Sequence, residues 1–329
     1  RFEALLGLIY AGCYLKNMEK FIEPATRALA DECHHLINSE EIVFSRNSQD
    51  ILNILTSLIW AKLALKDSKW NPSVTHLDTI EKLALILRNL RHSDAGLPRF
   101  HGSCGDVDGQ LDQALSHAES REISLSETNV GYVKLSNSRT SVIIDAAPPL
   151  MGKEAVKADA STLAFEMVSG QRRVFTSCGP GYLFGSDLSF SSRRTSSHCT
   201  VHIDNHDSSE FLSNKGWLQA PKKVIIDGPR TVPKEISSNE GTKIFEGAHD
   251  GYVKNFGLTH VRKLKLSQDG QSFEGEDLMI AIEDSHKRRF DKIFKKSGST
   301  QMSVKAAFHL HPNVRVRFDR ENNRVSLAL

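Results

Sequence analysis

Ile51-Leu-Asn-Ile-Leu-Thr-Ser-Leu-Ile-Trp-Ala-Lys-Leu-Ala-Leu65 is the most apolar stretch of the chain, and its spacing decides how the first third folds. Ile51, Leu55, Leu58 and Leu65 recur at intervals of four, three and seven, which lines them along one face of a helix. Asn53, Thr56, Ser57 and Lys62 interrupt the run, so it falls short of the roughly 18 consecutive apolar residues that a membrane span needs. No other window comes closer. Ile80, Leu83, Leu87 and Leu90 repeat the helical spacing. Asn38-Ser39, Ser45 to Ser48, Asn71-Pro72 and Asp94-Ala-Gly96 can each end one helix or cap the next. The pattern from Phe2 to about His117 therefore predicts an array of antiparallel helices. The run Gly102-Ser-Cys-Gly-Asp-Val-Asp-Gly109 is too polar and turn-prone for either period and predicts a surface loop.

Past Glu122 the period falls to two and β-branched residues take over. Val142 to Ile144, Leu163 to Val168, Val174 to Thr176, Thr200 to Ile203, Val224 to Ile226, Val261 to Leu266 and Lys305 to Leu310 read as strands. Turn signals stand at Asp227-Gly228, Asp250-Gly251 and Asp269-Gly270, a spacing that suits a large antiparallel sandwich. The expectation is a two-domain α+β chain with helices over 1–120, a β-sandwich over 121–329, and a boundary near 118–124. The basic run His286 to Lys296 reads most simply as a solvated connection, with an anion-binding patch as the alternative. The chain opens helical at Arg1 and closes strand-like at Arg324 to Leu329, so we expect a piece of a longer protein.

Composition narrows the function classes. Over 329 residues, 42 Lys plus Arg face 40 Asp plus Glu, a formal charge of +2 that gives no global field for nucleic acid. Five scattered cysteines form no C-x-x-C pair, which supports neither a zinc ribbon nor a disulfide scaffold and leaves the redox compartment open. G-x-S-x-G, Walker A, G-x-G-x-x-G and H-E-x-x-H are all absent.

Three constellations could carry chemistry. His198, His202, Asp204 and His206 would share one face if a strand ran through them, as a metal face or simply a wet strand face. Arg193 and Arg194 beside His198 could hold a carboxylate by bidentate hydrogen bonds. Phe308-His-Leu-His-Pro312 sets two imidazoles opposite Phe308 and Leu310, which are expected to be buried. Gly247-Ala-His-Asp-Gly-Tyr252 joins an imidazole and a phenol to a turn.

Six strings in register give a wider resemblance: Phe44-Ser-Arg-Asn47, Thr162-Leu-Ala-Phe-Glu166, Thr195-Ser-Ser-His-Cys-Thr-Val201, His249-Asp-Gly-Tyr-Val-Lys-Asn-Phe-Gly257, Leu264-Lys-Leu-Ser-Gln-Asp-Gly270 with Glu274-Gly-Glu-Asp277, and Phe308-His-Leu-His-Pro312. Together they resemble the C-terminal part of the heparinase II/III-like polysaccharide lyases, especially their alphaproteobacterial branch. The resemblance implies a partial (α/α) toroid on an antiparallel β-sandwich with a sugar chain between them. It implies β-elimination on a uronic-acid glycan, in which a base takes the proton beside the carboxylate and an acid assists the leaving oxygen. It also implies work in the periplasm or cell envelope.

Matched position by position, the resemblance puts the family's proton-transferring Tyr at Asp50 and its H-x-H at Lys157-Ala-Asp159. A further metal-ligand position falls at Ser177, and the last at His198. The implied proton handlers and charge neutralisers are His198, Lys157, Tyr252 and His249, and the implied substrate grip is Arg46, Asn47, Arg193 and Arg194. Asp159 and His198 remain as weak metal candidates, and a zinc site built on them looks incomplete, so no cofactor is expected. Three readings stay open: a lyase acting on an acidic polysaccharide, a non-catalytic relative that keeps the fold and a glycan-binding cleft, and a metal-dependent hydrolase.

Overall fold

The computed structural model describes residues 1–38, 46–105, 109–118, 130–212, 224–297 and 302–328. The expected boundary near 118–124, the Phe44-Ser45 half of the first string and the 106–108 part of the glycine-rich loop lie almost wholly outside the described residues.

Five helices come first: α1 (Phe2–Tyr14), α2 (Ile22–Asn38), α3 (Ser48–Asp67), α4 (Val74–Leu90) and α5 (Gln110–His117). The Asn47 side chain caps α3, accepting from the amides of Gln49 at 2.8 Å and Asp50 at 3.2 Å, and Ser73 caps α4 through the His76 amide at 3.2 Å. The predicted stripes are buried in one core, where Leu55, Leu58 and Leu65 of α3 join Ile80, Leu83, Leu87 and Leu90 of α4.

Fourteen strands follow among the described residues. A four-stranded antiparallel meander is built from β1 (Tyr132–Asn137), β2 (Thr140–Asp145), β3 (Phe165–Ser169) and β4 (Arg172–Phe175). Next come β5 (Val201–Ile203), β6 (Glu210–Phe211) and β7 (Ile225–Asp227), then β8 (Lys234–Asn239), β9 (Thr242–His249), β10 (Thr259–Leu266) and β11 (Phe273–Ile280). The last four pair as a second antiparallel sheet in the order β11-β10-β9-β8. The chain closes with β12 (Val304–Ala306), which pairs with β5, and the hairpin of β13 (Arg315–Asp319) and β14 (Arg324–Ala328). Short helices α6 (Ser186–Ser191) and α7 (Val253–Phe256) and the longer α8 (Asp284–Ser297) lie between strands.

Every residue of β2 is buried, and the two faces explain why. Val142 and Ile144 point into the sandwich core with Phe165, Phe245, Leu264 and Leu266, while Ile143 joins the helical core with Tyr132. The first sheet is thus the middle layer of three, helices on one side and the second sheet on the other. A strand covered on both faces reads as a continuous apolar run, which is the signature of Val142-Ile-Ile144.

Three expectations need correction. His198 to His206 is not one strand: extended pairing covers only Val201–Ile203, a 3-10 turn precedes it, and Asp204 takes a left-handed backbone with φ 49°. His202 bonds the Asp204 carbonyl at 2.8 Å and His206 packs edge-on to Phe256, so the shared imidazole face does not form. The described part of the glycine-rich run, expected as a surface loop, is largely covered, with Ser103 fully buried and its hydroxyl 2.9 Å from that of Ser48, whereas the basic run from His286 keeps its mostly solvated character as helix α8, whose Phe290 packs against the Tyr252, Phe256 and Leu258 cluster. Phe308 is half exposed, although its ring packs against Phe165 and Phe175.

Candidate functional site

Where the helices meet the first sheet, a buried chain of polar side chains runs through the junction. Asp145 ends β2 and is bound by Arg46, by Ser161 Oγ at 2.6 Å and by His101 Nε2 at 3.2 Å. Arg46 also donates to the carbonyls of Val130, Gly131 and Pro148 and stacks 4.9 Å from the Tyr132 ring. The Tyr132 hydroxyl donates back to the Arg46 carbonyl at 2.7 Å. Burial lifts the Asp145 carboxyl, but Arg46 and His101 outweigh it and hold the group well below the usual carboxylate range. Arg46 and His101 both take left-handed backbone conformations, φ 52° and 55°, unusual for residues with a Cβ and held here by this over-determined contact set.

Asp159 accepts from the His101 amide, and its own amide donates to His101 Nδ1 at 3.0 Å. Burial pushes its carboxyl up to about 6 against the pull of His101 and Arg193. Oδ2 of Asp159 lies 3.9 Å from His198 Nε2, while His198 Nδ1 meets Ser177 Oγ at 3.1 Å. Burial, and then the neighbouring His101, push the His198 imidazole down to about 3, so it stays neutral. Behind it sits Glu166, whose carboxylate takes the amides of Ser177 at 2.9 Å and Arg99 at 3.2 Å and faces Arg173 at 3.7 Å.

The positions matched to the family's metal ligands therefore converge, but they do not fit a zinc ion. His198 turns Nε2 toward Asp159 and the opposite ring nitrogen toward Ser177. Only two donors face one point, whereas zinc takes three or four protein or water donors at about 2.0–2.3 Å. Among the described residues no group of three or more His, Cys, Asp and Glu is assembled to hold a metal.

At the mouth of the junction, Lys157 Nζ reaches Asp50 at 2.8 Å and 3.0 Å, one contact to each carboxylate oxygen. Both side chains are partly exposed, 42% and 31%. Tyr182 is half exposed beside them, its phenol raised by burial and by Cys104. The sequence held no signal for Tyr182, since a lone Tyr in the short 3-10 turn Gly181–Phe184 has no pattern.

The remaining expected site residues lie elsewhere or are committed to the backbone. Asn47 is the α3 cap. Arg193 donates to the carbonyls of Ala158 at 2.8 Å and Ala155 at 2.9 Å, with its guanidinium 5.2 Å from the Phe211 ring. Arg194 pairs with Asp207 at 2.9 Å on a different groove. Tyr252 is fully buried and its hydroxyl donates to the Val201 carbonyl at 2.8 Å. His249 accepts from the Gly251 amide at 3.1 Å and sits 3.2 Å from His260, which continues to Asp277 and Arg262. These last two bind the corner of the sandwich, away from Lys157 and Asp50.

The family model for the heparinase II/III-like C-terminal domain matches residues 124–329. The FtsZ-localized protein C of Caulobacter vibrioides is 27% identical over 319 residues, which is 96% of this chain and 54% of that protein. The chain thus spans about half the length of the curated relative it matches. Among solved structures, heparinase III superposes with a TM-score of 0.68 at 16% identity, covering 100% of this chain and 52% of that one. The heparan sulfate lyase of Pedobacter heparinus gives a TM-score of 0.67 at 15% identity, covering 99% and 50%. At such identities the likeness is one of fold.

Proposed function

The chain belongs to the heparinase II/III-like family, and from that premise we propose that it is a non-catalytic member, working as a binding scaffold rather than as a lyase. The observation that carries this reading is the Lys157–Asp50 ion pair at the two positions where the resemblance sets a His and a Tyr. Elimination needs a base free to take a proton and a donor free to give one. Here an ammonium is clasped by both oxygens of a carboxylate, and that carboxylate would repel an incoming uronate. His198 is buried and neutral, and Arg46, Asn47 and Arg193 hold backbone groups that would be orphaned if they turned to a substrate. We assign His249 and Tyr252 to the sandwich corner.

The name of the Caulobacter relative supports a place beside the FtsZ division apparatus, which we propose in preference to a freely secreted glycan-degrading role in the periplasm or envelope. A lyase reading keeps the support of family membership and of the half-exposed Tyr182 phenol beside Lys157. Incubation of the full-length protein with heparan sulfate, alginate and other uronic-acid polymers separates the two. The expected result is no growth of the ultraviolet absorbance of an unsaturated uronate. Growth that is lost in Lys157→Ala or Tyr182→Phe would overturn the proposal. A fluorescent fusion scattered over the cell, independent of FtsZ, would overturn the localisation.

A further inference from the structure

A cavity of about 780 Å³ opens on the sandwich, and neither Lys157 nor Asp50 lines it. Its size falls within the roughly 300–1,000 Å³ of small-ligand sites. The β6–β7 pair forms one wall, the Asp250-Gly251 corner with α7 another, and Arg289 of α8 reaches its rim. Backbone approaches closely at two glycines: a Cβ on Gly228 would lie 2.7 Å from Ser209 Oγ, and one on Gly251 would lie 2.5 Å from the Ser208 carbonyl.

The charges of the wall cancel. Asp207 is paired with Arg194 at 2.9 Å, Lys254 bridges Glu210 at 3.1 Å and Asp227 at 2.5 Å, and Asp250 accepts the Arg230 amide at 3.0 Å. An anion entering the cavity meets four carboxylates, and a cation meets Arg194, Arg230, Lys254 and Arg289. Neither is favoured. The same wall carries acceptors in its four carboxylates and donors in Asn255, Arg194, Arg230, Lys254 and Arg289. Phe190 and Phe211, packed edge-on at 5.2 Å, supply the apolar patch. We propose that this cavity binds an uncharged saccharide, whose hydroxyls donate and accept in turn and whose ring C–H faces suit an aromatic floor.

This site is separate from the junction, so it stands or falls independently of the reading above. The test is calorimetric titration of the protein with maltohexaose, cellohexaose and chitohexaose, with a heparin hexasaccharide as the charged comparator. At least one neutral probe is expected to bind, with affinity falling about tenfold or more in Asn255→Ala and Arg230→Ala, two cavity-lining changes that leave the core intact. Lys157→Ala at the junction is expected to leave that affinity unchanged. Binding of the heparin probe alone, no binding of any neutral probe, or neutral binding unaffected by both cavity variants would overturn the proposal.

Discussion

Lys157 and Asp50, 107 residues apart in sequence, meet at 2.8 Å and tie the end of a 3-10 turn beside the first sheet to the first turn of α3. The pair sits at the surface end of a buried polar seam that runs inward through Asp159, His101 and Asp145 to Arg46.

Because both partners are partly exposed, this bond is a modest contributor to stability. A double-mutant cycle on Lys157→Ala and Asp50→Ala, read by urea unfolding, should give a coupling of about 0.2–1 kcal/mol. A coupling several times larger would make the pair a principal clasp between the layers.

The Arg46–Asp145 pair is the opposite case. With both side chains 3% exposed or less, Arg46→Ala would take the guanidinium from the buried Asp145 carboxylate and from four carbonyls, at a cost of about 3–5 kcal/mol. The variant should unfold at far lower denaturant or fail to fold, and Arg46→Ala with Asp145→Asn should recover part of the loss.

Acid should weaken the fold through its buried imidazoles. His198, His92 and His249 are all shifted below the ordinary histidine value by burial first, and His198 reaches about 3. A depressed folded value means the stabilisation is present above about pH 6.5 and drains away as pH falls toward 3. Unfolding free energy measured from pH 7.5 down to 4.5 should fall, and less steeply in His198→Gln.

Asp159 works in the other sense. Its folded value near 6 lies above the ordinary 3.8, so its contribution is present below 3.8 and lost as pH rises through 6. Asp159→Asn should therefore stabilise the protein at pH 7.5, by up to about 3 kcal/mol, and leave it unchanged near pH 3.5. Equal effects at both pH values would remove the assigned cause.

Tyr252 offers a test of its corner role. Tyr252→Phe leaves the Val201 carbonyl without its donor and should cost about 1 kcal/mol, with no change in any ligand binding at the junction.

What was legible in the sequence was what periodicity writes locally. The stripes of α3 and α4, a capping residue within 45–48, six of the seven anticipated strands and the doubly buried run of β2 follow from side chains meeting water on one face, both or neither, while the seventh, Lys305 to Leu310, is a strand only over Val304–Ala306. The basic residues of α8 masked its helical spacing, and β8 with its exposed polar face gave too weak an alternation to read. Residue type alone could name Arg46, Asn47 and Arg193 as anion ligands, because a guanidinium or an amide looks the same whether it faces solvent or a carbonyl.

Only the tertiary structure decided that question. Packing the helices onto the first sheet surrounds Arg46 with carbonyls, sinks His198 below water and turns its two nitrogens to different partners. The same packing brings Lys157 across to Asp50. The sequence by itself determined the layers, since burial is a property each segment carries along its own length. The chemistry of the junction was determined by contacts between residues a hundred positions apart, where distance and desolvation, not identity, set what each group can do.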